Sequence, residues 1–302
     1  MNPNTARLSG VIPVLTMPFT TDYTLDLAAL DRELEHLQGA GVTWVALGFG
    51  SEVNCLDDGV LAELTRHVAL ADPDSLHLVG NVEAAGECHV TLRRLETAAH
   101  LGSAAVMLRP TPAQGVDSPS VTASLSAIAA DSPLPLVIQD APQHTGVELS
   151  AEDLATLASQ REIAGLKIEP PEGPKKIADV TRLLGTDAPP VIAGHGAVDV
   201  IKDIEAGAEA TMPGAGFVPE LQELLRAACA GHRPEAVSWW VRLAPLMLLG
   251  KRSFATFVQL QKLLLVHRGV LANDLISPEL GAHDAGLEAE LSEILGVTGG
   301  LL

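Results

Sequence analysis

The most constraining feature of this sequence is a regular alternation of short apolar runs with longer amphipathic stretches. Eight apolar runs recur about every 20–33 residues, and a helical pattern follows each of them. Because apolar and polar residues do not alternate within the runs, they are typical of parallel strands buried on both faces. Eight such units in about 230 residues predict a (β/α)8 barrel. The predicted strands are residues 11–16, 44–48, 76–82, 104–108, 134–139, 164–168, 190–193 and 210–212.

The fold class is therefore α/β, with a (β/α)8 TIM barrel over residues 1–230 and a C-terminal helical extension over residues 231–302. Helical patterns at 234–249, 253–266 and 286–295 supply the extension. A doubly wound open sheet is the alternative fold. Such a sheet would carry a glycine-rich dinucleotide turn after its first strand, where this chain has Thr16-Met-Pro-Phe19. We therefore expect no cofactor.

Composition narrows the possible partners and locations. The formal charge of −19 opposes binding to nucleic acid or to an anionic membrane surface. No apolar run approaches the roughly 20 residues of a membrane helix, and the polar start has no signal-peptide pattern. The three cysteines lie far apart without metal-ligand spacing, so we expect no disulfide framework and no metal site. These features predict a cytoplasmic protein.

Lys167 is the residue that most strongly indicates chemistry. It lies in the apolar run Ile163–Ile168, whereas the other five lysines lie in polar or helical contexts from which an ammonium could reach water. Burial on a strand disfavours a charged amine, lowers its pKa and frees it as a nucleophile toward a carbonyl substrate. The alternative is a strand-end lysine whose ammonium extends outward to pair with Glu169 or Glu172.

The barrel prediction gathers further polar residues at one end. Active sites of this fold lie at the carboxyl ends of the strands. The predicted ends are Thr16, the turn 48–52, Asn81 with Glu83, Arg109, Gln139 with Asp140, Lys167 with Glu169, the turn 194–196 and the turn 213–216.

Several of these strand ends allow more than one role. The turn Gly48–Glu52 could present backbone N–H groups to a carboxylate, or it could be an ordinary connection. The turn Gly214–Gly216 could hold an anion at a helix start, or it could simply turn tightly. Asp140, Glu169 and His195 could also be metal ligands on neighbouring strands.

With these residues in place, the chain resembles the dihydrodipicolinate synthase/N-acetylneuraminate lyase family of class I aldolases. The resemblance rests on Gly10–Phe19, the Gly48–Glu52 turn, Asp140–Gly146 and Gly165-Leu-Lys167. It implies a barrel that is usually assembled as a tetramer built from two dimers. It also implies a lysine that forms a Schiff base with pyruvate or another 2-oxo acid, and Lys167 matches that lysine.

The chain departs from the family pattern at the strand-2 turn. The family turn usually reads Gly-Thr-Thr-Gly-Glu, and its threonines help to bind the carboxylate. Here Phe49 and Gly50 stand in place of the threonines, and Ser51 keeps the turn's one hydroxyl. Backbone N–H groups would therefore have to do more of the binding.

The proton relay of the family is also altered. Gln139 occupies the position of the strand-5 tyrosine, and the chain's one tyrosine, Tyr23, lies in an early loop. The tyrosines usual after strand 4 are absent from Arg109–Pro112, and His144 replaces an arginine common in the synthases. A standard dihydrodipicolinate synthase mechanism is therefore not expected.

The sequence thus predicts a Schiff-base lyase, either an aldolase or a dehydratase, that acts on pyruvate, another 2-oxo acid or a 2-oxo sugar acid. Alternatives are a dihydrodipicolinate synthase with an altered relay, a metal-dependent aldolase, and a non-catalytic barrel that binds a 2-oxo acid. We expect a homodimer or homotetramer. The expected catalytic residues are Lys167, Asp140 and Glu52, with His195 as a further acid/base candidate. The residues expected to bind substrate are Gly50, Ser51, Gln139, His144, His195 and Gly214.

Overall fold

The computed structural model describes residues 7–84, 86–112, 117–185 and 187–298, and within them eight parallel strands form a barrel. Each strand pairs with the next along the chain from β2 to β8, and β8 pairs with β1. The ring closes where Val14 bridges to Ala46. The strands are β1 Gly10–Val11, β2 Trp44–Ala46, β3 His77–Glu83, β4 Ala105–Arg109, β5 Leu136–Asp140, β6 Ile163–Ile168, β7 Val191–Ala193 and β8 Ala210–Thr211.

Helices connect the strands and continue beyond the barrel. The helices that follow β1 to β8 are α1 Leu27–Gly39, α2 Asp58–Ala71, α3 Cys88–His100, α4 Ser118–Ala130, α5 Pro142–Thr145, α6 Ala151–Ala158, α7 Gly173–Leu183, α8 Val200–Glu205 and α9 Val218–Cys229. The C-terminal helices are α10 Arg233–Leu249, α11 Phe254–His267 and α12 Leu287–Val297. Short 3-10 turns at Phe49–Ser51, Val53–Cys55 and His195–Ala197 follow β2 and β7.

Capping side chains set where several helices begin. Asp26, Asp57 and Asp117 each accept a backbone N–H three residues further on, at 2.9 Å, and so start α1, α2 and α4. Ser150 and Ser253 do the same for α6 and α11. Such a cap satisfies a donor that the first helical turn leaves unpaired, which favours these chain positions as helix starts.

Strand alternation separates the barrel interior from the layer under the helices. Val79, Met107, Val137 and Ile192 pack together inside the barrel. The intervening residues of each strand point outward into a second apolar layer beneath the helices, as Ile138, Leu166 and Ile168 do. Because successive side chains on a strand face opposite sides, this alternation decides which polar residues reach the mouth of the barrel.

The C-terminal extension packs against the last part of the barrel. Helix α10 lies against α9, and the indole N–H of Trp240 donates to the carbonyl of Val198 at 2.8 Å. Arg268, which follows α11, pairs with Glu220 of α9 at 2.6 Å. The barrel and the helical extension are confirmed, and the boundary at residue 230 stays a prediction.

The structure differs from the sequence prediction in three local respects. Strand β1 is shorter than predicted because Pro13 has no N–H, although pairing resumes with Val14 N–H to the carbonyl of Pro213 at 2.7 Å. A single helical turn, α5, precedes α6 after β5, whereas the sequence predicts one helical pattern after each strand. The expectation that every lysine except Lys167 reaches water is wrong, because Lys262 on α11 is 0% exposed.

In the part of the chain that the structure describes, no helix is both long enough and apolar enough to cross a membrane.

Candidate active site

Lys167 lies inside the barrel near the carboxyl end of β6. It shares the inner face with Gly165, and its strand neighbours are Gln139 on β5 and Ile192 on β7. Its side chain is buried, and its Nζ lies 2.8 Å from Oε1 of Glu169. The ammonium therefore finds its partner within the barrel rather than by extending to solvent.

Glu169 completes an ion pair that is almost fully buried from solvent. Its Oε1 also accepts a hydrogen bond from Nε2 of Gln139 at 2.7 Å, and the backbone N–H of His195 points at Oε2 from 3.5 Å. Burial alone would raise the pKa of Glu169. The charge of Lys167 and the hydrogen bonds from Lys167 and Gln139 outweigh burial, so the pKa lies below its usual value.

Gly194 leaves room for the side chain of Glu169. A Cβ added at residue 194 would lie 2.1 Å from Cγ and 2.6 Å from Cδ of Glu169, which no real contact allows. The glycine that ends β7 is therefore needed for the close approach of this carboxylate rather than for an unusual backbone angle, since its φ is −108°.

The nitrogen and the oxygen of the Gln139 amide have different surroundings. Because a carboxylate only accepts hydrogen bonds, the amide nitrogen of Gln139 must face Glu169. Its Oε1 is buried and makes no hydrogen bond among the described residues. That oxygen therefore keeps its capacity to accept a hydrogen bond.

Two histidines stand above the ion pair. The ring of His144 lies 5.0 Å from that of Phe49 and 5.4 Å from that of Phe254 on α11. Burial lowers the pKa of His144, and Lys167 and Lys251 lower it further against the opposing charge of Glu169. Burial and Lys251 likewise lower the pKa of His195. Both imidazoles are therefore neutral near pH 7 and offer one donor and one acceptor each.

In the strand-2 turn, the serine hydroxyl is used in hydrogen bonds to the protein backbone. Oγ of Ser51 donates to the carbonyl of Leu15 at 2.6 Å and accepts from the N–H of Gly48 at 3.3 Å. The N–H groups of Ser51 and Glu52 bond to carbonyls within the turn. The N–H groups of Phe49 and Gly50 have no backbone partner in the described ranges.

Glu52 lies in the same turn, but its carboxylate is directed away from Lys167. It forms a buried ion pair with Lys262 of α11, and its Oε2 accepts the backbone N–H of Ser277 at 2.6 Å. The residue predicted as an acid/base therefore contacts the C-terminal extension.

Asp140 lies on the outer face of β5, opposite to Gln139. Its carboxylate is 0% exposed and lies 2.7 Å from Nζ of Lys176 on α7. Its other oxygen accepts the N–H of Leu149 at 3.1 Å. The alternation of the strand thus directs Asp140 under the helices, and the structure does not bring it together with Lys167.

Gly214 also lies outside the group around Lys167. A Cβ at this position would meet the side chain of Gln261 on α11 at 2.4 Å, and Gln261 takes the N–H of Gly216 at 2.9 Å. The turn before α9 is therefore packed against the extension rather than open to an anion.

The metal-ligand alternative needs Asp140, Glu169 and His195 to converge. Asp140 is on the other face of the sheet from Glu169, and no group of three or more potential ligands lies together among the described residues. The donor set therefore does not fit a metal ion.

Sequence reasoning named Glu169 only as a partner of Lys167 or a metal ligand. Its contact with Gln139 and its dependence on Gly194 were missed. The signal was present in the spacing: residues 167 and 169 lie two apart, so both face the barrel interior as long as the strand continues.

A model of the dihydrodipicolinate synthetase family matches residues 7–295. The chain belongs to this family. Among its relatives, an L-2-keto-3-deoxyarabonate dehydratase from Azospirillum brasilense is 28% identical over 282 residues, which are 90% of this chain and 88% of the relative. A 4-hydroxy-tetrahydrodipicolinate synthase from Xanthomonas axonopodis pv. citri is 28% identical over 247 residues, and the match covers 78% of each chain.

Solved structures of this family have the same fold. Dihydrodipicolinate synthase from Rhodopseudomonas palustris superposes with a TM-score of 0.86 at 21% identity, covering 97% of this chain and 99% of the other. A prophage protein of the family from E. coli K12, in complex with pyruvate, also gives 0.86, at 20% identity and with 97% and 99% coverage.

Family membership confirms the predicted class of activity. The chain is an enzyme of the class I aldolase family, a Schiff-base lyase that acts on pyruvate or another 2-oxo acid. The matches favour neither the metal-dependent aldolase nor the non-catalytic barrel.

Replacing Gln139 with methionine should raise the pKa of Glu169, because the hydrogen bond that Gln139 donates favours the ionised carboxylate. Titration of the carboxyl ¹³C signal of Glu169 by NMR, assigned with a Glu169→Gln variant, measures the change. Gln143→Met is the matched control, since Gln143 donates to the backbone carbonyl of Glu169, at 3.1 Å, rather than to its carboxylate. An unchanged pKa in Gln139→Met, or an equal rise in both variants, would contradict the assigned hydrogen bond.

Proposed function

We propose that this enzyme dehydrates a 2-oxo-3-deoxy sugar acid through a Schiff base on Lys167. In this proposal Glu169 transfers the protons and Gln139 holds Glu169. The observation that carries the proposal is the buried contact of Lys167 with Glu169 at 2.8 Å, supported by Gln139 at 2.7 Å. An amine, a carboxylate and a hydrogen-bond donor meet here at the end of the barrel where chemistry occurs in this fold.

The ion pair supplies a route to the imine. Glu169 removes a proton from the Lys167 ammonium, and the free amine attacks C2 of the substrate. As the C–N bond forms, a proton passes from the nitrogen to the C2 oxygen and gives a carbinolamine. Its hydroxyl then leaves as water with the proton that Glu169 holds. A protonated imine then faces a carboxylate, so the starting charge arrangement is restored.

The same carboxylate serves the elimination. Glu169 takes a proton from C3, and the C–H electron pair enters the imine to give a neutral enamine. The enamine electrons then expel the C4 hydroxyl, which departs as water with the proton from Glu169. Hydrolysis of the conjugated imine releases a product that has lost one water, without any oxidant or reductant. General acid–base help of this kind typically contributes about 10²–10⁴ in rate.

Substrate binding is assigned to the groups around the ion pair. The N–H groups of Phe49 and Gly50 would receive the C1 carboxylate, as backbone donors in a tight turn do for anions. The neutral rings of His144 and His195 and the unpartnered Oε1 of Gln139 suit hydroxyl groups, which both donate and accept. This set fits a polyhydroxy chain better than an apolar one.

Two observations favour dehydration over condensation with an aldehyde. The relative named as an L-2-keto-3-deoxyarabonate dehydratase matches 90% of this chain. The tyrosine relay expected of a synthase has no counterpart, since Tyr23 is 45% exposed in the loop before α1. Glu169 acts at C3 and C4 without such a relay.

We further propose that the enzyme is a cytoplasmic homo-oligomer, either a dimer or a tetramer. Val237, Val241 and Leu248 lie exposed along one face of α10, as a contact between copies would need. Sedimentation velocity of the purified chain tests the assembly, and cell fractionation tests the location.

Trapping with borohydride should place the adduct on Lys167 alone. The chain is incubated with pyruvate or with a 2-oxo-3-deoxy pentonate, reduced, digested and mapped by mass spectrometry. Lys251 is the relevant competitor, because partial burial lowers its pKa to about 8 while Glu169 and Asp199 oppose that shift. Lys167→Arg should give no adduct, since a guanidinium stays protonated. An adduct on Lys251, or one that persists in Lys167→Ala, would refute the assignment.

Two isosteric acid-to-amide changes separate Glu169 from Asp140. Glu169→Gln should still reach the trapped imine, although more slowly because it cannot carry the proton, and should lose about 10²–10⁴ in dehydration rate. Asp140→Asn should keep its rate within a few-fold and lose about 1–3 kcal/mol of stability, because it breaks a buried contact with Lys176. Loss of water by mass and thermal unfolding are the measurements. A larger rate loss in Asp140→Asn, with its fold intact, would return the acid/base role to Asp140.

Rapid condensation of pyruvate with aspartate semialdehyde by the unmodified chain would show that the enzyme is a synthase and would contradict the proposed dehydration.

A further inference from the structure

The strand-2 turn is held from outside the barrel by a buried charge pair. Glu52 ends the turn in a left-handed conformation, with φ 53° and ψ 26°, and is 1% exposed. A non-glycine residue in this region costs free energy, so its surroundings must hold it there. Its two carboxylate oxygens reach Lys262 of α11 and the N–H of Ser277.

Lys262 ties the turn to the segment that follows α11. Its Nζ also donates to the carbonyl of Leu275 at 2.6 Å and lies 4.5 Å from the centre of the Phe19 ring. Glu33 is close enough to affect Lys262, but burial raises the pKa of Glu33 to about 7, and its oxygens are occupied by Thr16. Glu52, which contacts Nζ directly, therefore balances the charge of Lys262 more than Glu33 or Asp274 does.

Stability alone does not explain such a pair. Well-packed apolar residues often replace a buried ion pair without loss of stability, whereas a pair with fixed geometry determines where its backbone lies. Here the backbone concerned runs directly into Gly50 and Ser51, two and one residues before Glu52. The ring of Phe257, also on α11, would touch a Cβ at Gly50 at 3.5 Å, so the extension contacts the turn twice.

We propose that Glu52 and Lys262 are positioning residues, through which the C-terminal extension holds the Gly48–Ser51 turn in the shape that receives the substrate carboxylate. The inference rests on the proposed function, since it takes the N–H groups of Phe49 and Gly50 as the carboxylate site. It assigns Glu52 no proton transfer. The pair acts on the affinity for the C1 carboxylate and leaves the chemistry at C2 to C4 with Lys167 and Glu169.

The test is a charge-neutral double variant, Glu52→Gln with Lys262→Met, which leaves no unpaired charge in the core. The probes are pyruvate and methyl pyruvate, which differ in the carboxylate charge, and the readout is the concentration that half-saturates the borohydride-trapped adduct. We expect the value for pyruvate to rise about tenfold, the equivalent of one lost hydrogen-bonding interaction, and that for methyl pyruvate to stay within about twofold. The kcat for the dehydration substrate should fall less than its KM rises.

The matched control is the lysine–carboxylate pair on the outer face of β5. Asp140→Asn with Lys176→Met removes a pair of the same kind under the helices and should leave both half-saturation values unchanged. If the first double variant does not fold, Glu52→Asp keeps the charge and shortens the contact by one methylene. It should raise the pyruvate value several-fold and spare methyl pyruvate.

Equal changes for the two probes, or no change with only a lower melting temperature, would overturn the positioning role while the proposed function stands. Absence of any adduct on Lys167 in the unmodified chain would overturn the proposed function, and the positioning role with it.

Discussion

The ion pair of Lys167 and Glu169 is the interaction on which the site depends. Lys167 and Glu169 are both buried at the carboxyl end of an apolar barrel, and each charge is stable there because the other is 2.8 Å away. Several neighbouring residues are constrained by this arrangement. Gly194 cannot carry a side chain, Gln139 must turn its amide nitrogen to the carboxylate, and the N–H of His195 faces the same group.

Much of the fold was predictable because its signals repeat along the chain. Eight buried strands with helical connections leave few architectures, and a lysine in an apolar run is a strong local anomaly. The polar residues at the strand ends were harder to assign. If a strand ends one residue earlier or later, a terminal side chain can point into the barrel instead of toward the helices, or the reverse. Asp140 shows this: the strand continues through residue 140, so Gln139 faces the mouth and Asp140 pairs with Lys176. The burial of Lys262 depends on a partner 210 residues away, and no local pattern contains it.

The C-terminal extension is part of the site rather than an addition to the barrel. Helix α11 supplies Phe254 beside His144, Phe257 above the strand-2 turn, Gln261 against Gly214 and Lys262 beneath Glu52. One helix therefore contacts the strand ends where carboxylate binding is proposed and seals the turn before α9. The sequence predicts an anion site at Gly214 and an acid at Glu52. In the structure both residues contact α11 instead, and the two differences therefore have the same cause.

The proposed role of Glu169 is to exchange protons with C3 of a substrate held on Lys167. Pyruvate tests this role whatever the natural substrate is, because its methyl carbon is C3 and the enzyme exchanges the methyl protons with solvent through the enamine. Exchange through the free enol is measured in a sample without enzyme and subtracted. In D₂O, NMR should show steady deuterium incorporation into the pyruvate methyl group with the unmodified chain. Glu169→Gln should still give the trapped adduct after longer incubation, but once the adduct has formed it should exchange at least about 10²-fold more slowly. Exchange at the full rate in Glu169→Gln would contradict the claim and require another base at C3.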